Sequence, residues 1–156
     1  LDCTLILLGE RFSADGRYYF DKCTEADIPY EIYSSDTDLS RFSTLVDCIF
    51  GTGFVGEARG LAKTVIEKYN SSSAYKVSVD INSGMNGDTG EGETIVCSDL
   101  TVTIGFLKHG LLPENAGRHI KRLVCADIGI VLEREERKIT AQNAPPWLDL
   151  NTISIV

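Results

Sequence analysis

Two aspartates stand at the ends of predicted strands, which is where a parallel sheet places its reactive groups. Asp47 lies inside the apolar run LVDCIF, and Asp80 closes the run KVSVDI. A carboxylate in such a position is costly unless it is hydrogen-bonded, paired or metal-bound. Loop N–H groups would satisfy it without any function, whereas an acid–base or ion-binding role would use it chemically. Asp80 is the stronger catalytic candidate because ligands bind at the carboxyl edge of such sheets.

The loop after Asp80 is unusually rich in glycine and small polar residues. It reads INSGMNGDTGEG at 81–92, a composition typical of a binding loop or a tight corner. Ser83 lies three residues after Asp80, so its hydroxyl can face the same site. Lys108 follows the next predicted strand, where a lysine can neutralise a phosphate, hold a carboxylate or remain a solvated surface residue.

A glycine-rich turn, GTGFVG, follows the strand that contains Asp47 and has the spacing G-x-G-x-x-G. Glycine allows close backbone approach to a ligand, and a loop that leads into a helix favours an anion. Two interpretations remain open: a strand-to-helix turn without a ligand, and a dinucleotide-binding fingerprint. Asp80 favours the fingerprint because it lies 80 − 56 = 24 residues after Gly56. Against it, at least two predicted strands precede a motif that should follow the first strand.

The elements that must position these residues alternate between β-rich runs and amphipathic segments, which predicts a doubly wound α/β fold with a mostly parallel sheet. The first helix should begin after Ser13 and bury Tyr19, Cys23 and Ala26. A polar, then proline-rich stretch predicts a surface excursion and tail over 133–156. Strands are predicted at 3–9, 29–33, 45–50, 76–81, 100–105 and 122–127, and helices at 14–27 and 57–69.

Composition excludes several classes of protein. The 156 residues suit a single domain, and the net charge of 15 − 23 = −8 disfavours nucleic-acid binding. No apolar run is long enough to span a membrane, and no signal peptide is evident. Five cysteines without a C-x-x-C motif predict small buried side chains in a reducing cytoplasm. Because the chain opens with Leu1 and then a β-rich run, we expect the natural protein to begin earlier.

Four motifs, taken together, resemble one family: VDCIFGTGFVGEARG, VSVDINSGMNGDTGE, SDLTVTIGFLKHGLL and VCADIGI. Their order and spacing over about residues 1–132 are similar to the YjeF N-terminal domain. These are the NAD(P)H-hydrate epimerases, which include the apolipoprotein A-I-binding protein. The resemblance implies a Rossmann-like three-layer fold and a homodimer. It also implies interconversion of the R and S forms of hydrated NADH and NADPH (NADHX and NADPHX), so that a linked or separate dehydratase can act.

The resemblance also implies roles for individual residues. Asp80 would be the catalytic acid–base at the hydrated nicotinamide, and Lys108 would contact the substrate. Asp47 and Ser83 would bind a potassium ion through hard oxygen ligands, and no redox cofactor is expected. The glycine turn would wrap the substrate phosphates with Gly51, Thr52, Gly53, Phe54, Val55, Gly56 and Glu57.

Two departures from the family pattern stand out. No Asn-Asn-Gly-Gly-Asp segment, which supplies an ion ligand and substrate contacts, occurs in this sequence. The family's Asp-Ile-Pro-Ser-Gly is here DINSG, with Asn82 in place of proline, a change expected to reduce rigidity only. A catalytically inactive binding or scaffold module of the same fold is the alternative, and a nicotinamide-dependent oxidoreductase is a third interpretation.

Overall fold

The structure is a computed structural model that describes residues 2–130, 139–140 and 142–152. It contains two compact units, Leu1–Asp38 and Leu39–Val156. In the first unit, strand β1 (Leu5–Leu7) pairs in parallel with β2 (Tyr30–Ile32), and helix α1 (Ala14–Glu25) connects them. The prediction of one domain over the whole chain is not tested by this division.

The start of α1 is as predicted, but its buried face is not. Ser13 Oγ accepts a hydrogen bond from the Gly16 N–H at 3.1 Å, which confirms the N-cap. Tyr19 and Ala26 are exposed, however, so the predicted apolar face is wrong. The reason is an offset of one residue: Phe20 packs edge-on against Tyr30 of β2, with ring centroids 4.9 Å apart. One residue is about 100° around a helix, which turns Tyr19 outward.

The second unit is built on one parallel sheet. Its strands are β3 (Thr44–Asp47), β4 (Tyr75–Val79), β5 (Leu100–Ile104) and β6 (Leu123–Ala126), in the order β3-β4-β5-β6. In the register, Val46 lies opposite Val77, and Val102 lies opposite Val124. The α/β, Rossmann-like class with parallel sheets is therefore confirmed. Because all four strands run the same way, their carboxyl ends meet at one edge.

Helix α2 (Gly60–Ser71) connects β3 to β4 and covers them. Val65, Ile66 and Tyr69 are buried, as the 3.6-residue period predicts. The Tyr69 hydroxyl lies 3.0 Å from the Val77 carbonyl oxygen and 3.2 Å from that of Leu45. The C-terminal half of the helix is thus fixed to two neighbouring strands.

A hydrophobic core lies between the sheet, the loop after β4 and the C-terminal segment. The Leu123 N–H donates to the Trp147 carbonyl at 2.7 Å, and the Asp149 N–H donates to the Leu123 carbonyl at 2.8 Å, so this segment forms one parallel bridge to β6. Residues 131–138, 141 and 153–156 of the predicted excursion and tail lie outside the described residues. The buried members of the core are Ile81, Met85, Ile95, Leu111, Ala116, Ile120, Leu123 and Leu148.

The cysteines are less buried than their composition suggested. Cys3 and Cys48 are exposed, and both lie outside the observed strands. Cys125, on β6, is buried as expected. Within the described ranges, no helix has the length and apolar character that crossing a bilayer requires.

Candidate active site

The Asp47 carboxylate is buried at the end of β3, where four donors satisfy it. Its Oδ1 accepts from the Ser83 hydroxyl at 2.5 Å and from the Ile49 N–H at 3.2 Å. Its Oδ2 accepts from the Ser83 N–H at 2.9 Å and from the Ser78 hydroxyl at 3.0 Å. Burial raises the pKa of the Asp47 carboxyl, and these hydrogen bonds oppose that rise. In the described part of the chain, no cationic side chain pairs with it.

Ser83 connects this carboxylate to the start of the glycine turn. Its hydroxyl accepts a hydrogen bond from the Phe50 N–H at 2.9 Å and lies 3.5 Å from the Phe50 carbonyl oxygen. Carboxylate, hydroxyl and carbonyl oxygens therefore meet in one place, and these are the ligands that hard cations prefer. We call Asp47, Ser83 and Phe50 the oxygen cluster. Among the described residues, no group of three or more histidine, cysteine and acidic side chains could hold a metal ion.

Asp80 lies just beyond β4 in a left-handed backbone conformation, with φ of 71°. For a residue other than glycine, this conformation costs roughly 1–2 kcal/mol. The Lys108 ammonium donates to Asp80 Oδ1 and, at 2.7 Å, to the Ile104 carbonyl. The Ile104 N–H reaches the same Oδ1 at 3.3 Å. One carboxylate oxygen is thus anchored, while Oδ2 accepts no hydrogen bond from the residues described.

This acidic group is accessible without being fully solvated. The side chains of Asp80 and Lys108 are 26% and 19% exposed. An ion pair at that depth is screened less than a surface pair, so it fixes the position of both side chains. The lysine that the sequence left open between three interpretations therefore holds a carboxylate in this structure.

The glycine turn is short and projects outward. The Phe54 N–H donates to the Gly51 carbonyl at 3.1 Å, and the Phe54 ring stacks on Phe50 with centroids 4.4 Å apart. Val55, at the tip, is 81% exposed. The turn thus has a rigid aromatic base and a tip that contacts little of the protein.

The glycines of this turn are not explained by crowding within the protein. A Cβ placed on Gly51, Gly53 or Gly56 would meet no atom within 4 Å. Gly56 has φ of 94°, which alone favours glycine at that position. Glu57 forms an exposed ion pair with Arg59 at 3.4 Å. The space beside the turn is therefore open to a ligand.

The structure brings the predicted site residues together in two neighbouring groups. The oxygen cluster joins Asp47 and Ser83 to the turn, and Asp80 pairs with Lys108. Asp80 precedes Ser83 by three residues in one loop, so the two groups share the carboxyl edge of the sheet. The catalytic, substrate-binding and ion-binding roles of these residues stay predictions.

Sequence reasoning missed two residues of this edge. Ser78 is fully buried on β4 and donates to Asp47; a serine inside the apolar run KVSV was the available signal. Asn82 is also fully buried, and its side-chain amide hydrogen-bonds to the Val96 carbonyl and the Thr101 hydroxyl. The sequence shows that Asn82 lies between Asp80 and Ser83, but it does not reveal the hydrogen-bond partners of Asn82.

Comparison with known proteins assigns the family. The profile of YjeF-related protein N-terminus matches residues 2–110. The chain is 38% identical over 96 residues to the NAD(P)H-hydrate epimerase of Lentilactobacillus buchneri, covering 61% of this chain and 45% of that protein. It is 32% identical over 130 residues to the NAD(P)H-hydrate epimerase of Oenococcus oeni, covering 81% and 60%.

A longer relative is also similar. The chain is 40% identical over 111 residues to the bifunctional NAD(P)H-hydrate repair enzyme Nnr of Pyrobaculum aerophilum, covering 70% of this chain and 22% of that protein. The chain therefore spans less than two thirds of the length of each of these relatives. The profile match covers more than half of the chain and includes every residue of the two site groups, so this chain belongs to the YjeF-related N-terminus family.

Proposed function

We propose that this chain interconverts the R and S epimers of hydrated NADH and NADPH. The observation that carries the proposal is the carboxylate of Asp80. Lys108 anchors one of its oxygens, the other accepts no hydrogen bond from the described residues, and an open glycine turn lies on the same edge. The relatives named NAD(P)H-hydrate epimerase support the same reaction.

In the substrate, the carbon beside the ring nitrogen carries a hydroxyl group. The reaction needs one group that donates a proton to this hydroxyl and later takes a proton back from the water that adds. A proton passes through Asp80 to the hydroxyl, the C–O bond breaks to release water, and the nitrogen lone pair forms the C=N bond of an iminium ion. Water then adds to the opposite face, and its extra proton returns through Asp80. Atoms and charge balance, and no hydride moves. Positioned acid–base groups of this kind contribute about 10²–10⁴ in rate.

The glycine turn would bind the phosphates of the substrate. Its open sides leave room for phosphate oxygens to approach backbone N–H groups, and α2 begins shortly after it. The stacked pair Phe50 and Phe54 holds the base of the turn in place. With the phosphates held at the turn, the hydrated nicotinamide ring would lie at Asp80, where it reacts.

The family resemblance implies a potassium ion, and the oxygen cluster offers carboxylate, hydroxyl and carbonyl oxygens of the type that such an ion binds. Asp47, Ser83 and the Phe50 carbonyl would hold it, with water or substrate completing the shell. When bound, the ion would supply positive charge beside the Asp47 carboxylate, whose ionised form is disfavoured by burial.

We expect KCl to raise the melting temperature more than NaCl at equal ionic strength, and Ser83→Ala to abolish the difference. Equal effects of the two salts in the wild type would contradict an ion held here.

Epimerase activity is tested with purified (R)-NADHX and an S-specific dehydratase that consumes the product. We expect Asp80→Asn, which keeps the shape and tolerates the left-handed backbone, to lower the rate by about 10²–10⁴. Lys108→Met should lower it by about tenfold or more, because Asp80 loses its anchor. Lys121→Met is the control, since Lys121 forms an ion pair with Asp99, 2.6 Å long, just before β5 and with a largely exposed lysine.

The outcomes separate the proposal from its alternative. Full activity in Asp80→Asn would remove that residue from the acid–base role. A wild-type chain that binds the nucleotide but does not interconvert the epimers would favour the inactive binding module. We propose in addition that the protein is a cytoplasmic homodimer that acts with a dehydratase, either linked or separate.

A further inference from the structure

Asn82 is the centre of a closed ring of buried hydrogen bonds. Its Nδ2 donates to Ser98 Oγ at 3.0 Å, and its Oδ1 accepts from the Thr101 hydroxyl at 2.6 Å. Ser98 Oγ and Thr101 Oγ1 are 2.8 Å apart. Because the single proton of Thr101 is used on Asn82, Ser98 must donate to Thr101, which closes the ring. All three side chains are at most 3% exposed.

The same amide also ties together backbone segments. Its Nδ2 lies 2.9 Å from the Val96 carbonyl and 3.3 Å from the His119 carbonyl. Asn82 therefore joins the loop after β4 to the segment before β5 and to the segment before β6. Buried polar networks that are fully satisfied rigidify the parts they connect.

Asn82 lies between Asp80 and Ser83, which belong to the two groups of the candidate site. Asp80, two residues before it, holds a left-handed backbone that persists only if its surroundings enforce it. Ser83, directly after it, donates through both N–H and hydroxyl to Asp47. Asn82 lies between them in the same loop and is held by the ring.

We propose that Asn82, locked by Ser98 and Thr101, is a positioning residue that sets the geometry of Asp80 and Ser83 without touching the substrate. This rests on the proposed function for its catalytic consequence.

The test breaks the ring at a distance from the site. Thr101→Val keeps the side-chain shape but removes the hydroxyl, and Thr101→Ser restores the hydroxyl. Tyr69→Phe is the matched control, because it deletes a different buried hydroxyl that contacts two carbonyls away from Asn82. Two quantities are measured in each variant: kcat and KM with (R)-NADHX, and the exchange rate of the Ser83 amide proton by NMR.

We expect Thr101→Val to lower kcat by about tenfold to a hundredfold with KM changed less than about threefold, as displacement of a reacting group requires. The Ser83 amide should exchange at least about tenfold faster, since about 1.4 kcal/mol of local stability corresponds to that factor. Thr101→Ser and Tyr69→Phe should retain wild-type kcat and exchange.

Unchanged kcat and exchange in Thr101→Val would overturn the proposal, as would an equal loss of kcat in Tyr69→Phe. If the wild type proves inactive, the epimerase proposal fails, and the exchange rate alone decides the role of Asn82. Faster exchange in Thr101→Val then supports it, and unchanged exchange refutes it.

Discussion

Two glycine-rich segments lie side by side at the edge of the sheet, and they use glycine for opposite reasons. In the turn at 51–57, a Cβ on Gly53 would meet nothing within 4 Å. In the loop at 81–92, a Cβ on Gly84 would overlap the Thr94 carbonyl oxygen. In the first segment, the missing side chains leave open space on the outside of the turn. In the second segment, a side chain would collide with neighbouring backbone. The same composition therefore forms an open, exposed turn in one segment and a tightly packed corner in the other.

The largest effect should follow Gly84→Ala. Its φ of 89° disfavours alanine, and the added methyl group collides with backbone that cannot move aside cheaply. We expect a loss of about 3 kcal/mol in the free energy of unfolding, the sum of the left-handed and overpacking costs. That corresponds to a fall of roughly 6–12 °C in melting temperature for a chain of this size. Calorimetry checks it, and a fall of less than about 2 °C in melting temperature would contradict the packing role.

Gly53→Ala should reverse this pattern. The stability should change by less than about 0.5 kcal/mol, as at an unconstrained surface position. If phosphates approach this turn, the methyl group occupies their space, and KM should rise about tenfold, which is 1.4 kcal/mol of binding. The measurement is steady-state kinetics beside a thermal melt. An unchanged KM would leave the turn as a strand-to-helix connection only.

The oxygen cluster links the two segments, and its pH dependence sharpens the comparison. Because the folded-state pKa of Asp47 is raised above 3.8 by burial, the stability it contributes is present below that pH and is lost as pH rises through the raised value. Each unit of the shift is worth about 1.4 kcal/mol. Relative to Asp47→Asn, the wild type should therefore become less stable as pH rises across this window. Urea unfolding at several pH values measures the difference, and the opposite slope would contradict the sign.

The smallest effect should come from Val55→Ala. Val55 is 81% exposed at the tip of the turn, so little apolar surface is buried there. We expect a change of less than about 0.5 kcal/mol in the free energy of unfolding. Urea denaturation gives the value. A loss above about 1 kcal/mol would mean that the tip packs against something and is not a projecting turn.

Much of the architecture could be predicted because strong local patterns agreed with one another. All six predicted strands are present, each shorter than expected, since period and β-propensity mark the centre of a strand better than its ends. α2 buried its predicted face because the sheet covers that whole face. α1 did not, because the ring contacts of Phe20 depend on where Tyr30 lies, which one sequence does not reveal.

The candidate site was predictable where chemistry alone marks a residue. Asp47, Asp80 and Ser83 stood out as polar groups at strand ends, and the structure places them at one edge. The partners of Asn82 were not predictable, because its ring joins residues 16 and 19 positions away through side-chain contacts. Pairings at that separation are set by the packing of β4 on β5, not by any local pattern.

The chain contains a single tryptophan, and its surroundings make it an internal optical probe. The indole N–H of Trp147 donates to the Leu111 carbonyl at 3.0 Å, and its ring lies against Gly117 so closely that a methyl group there would overlap it. Undocking of residues 142–152 would expose the ring to water and red-shift its emission. Fluorescence of the unlabelled protein therefore reports whether this segment stays on the core during any of the experiments above.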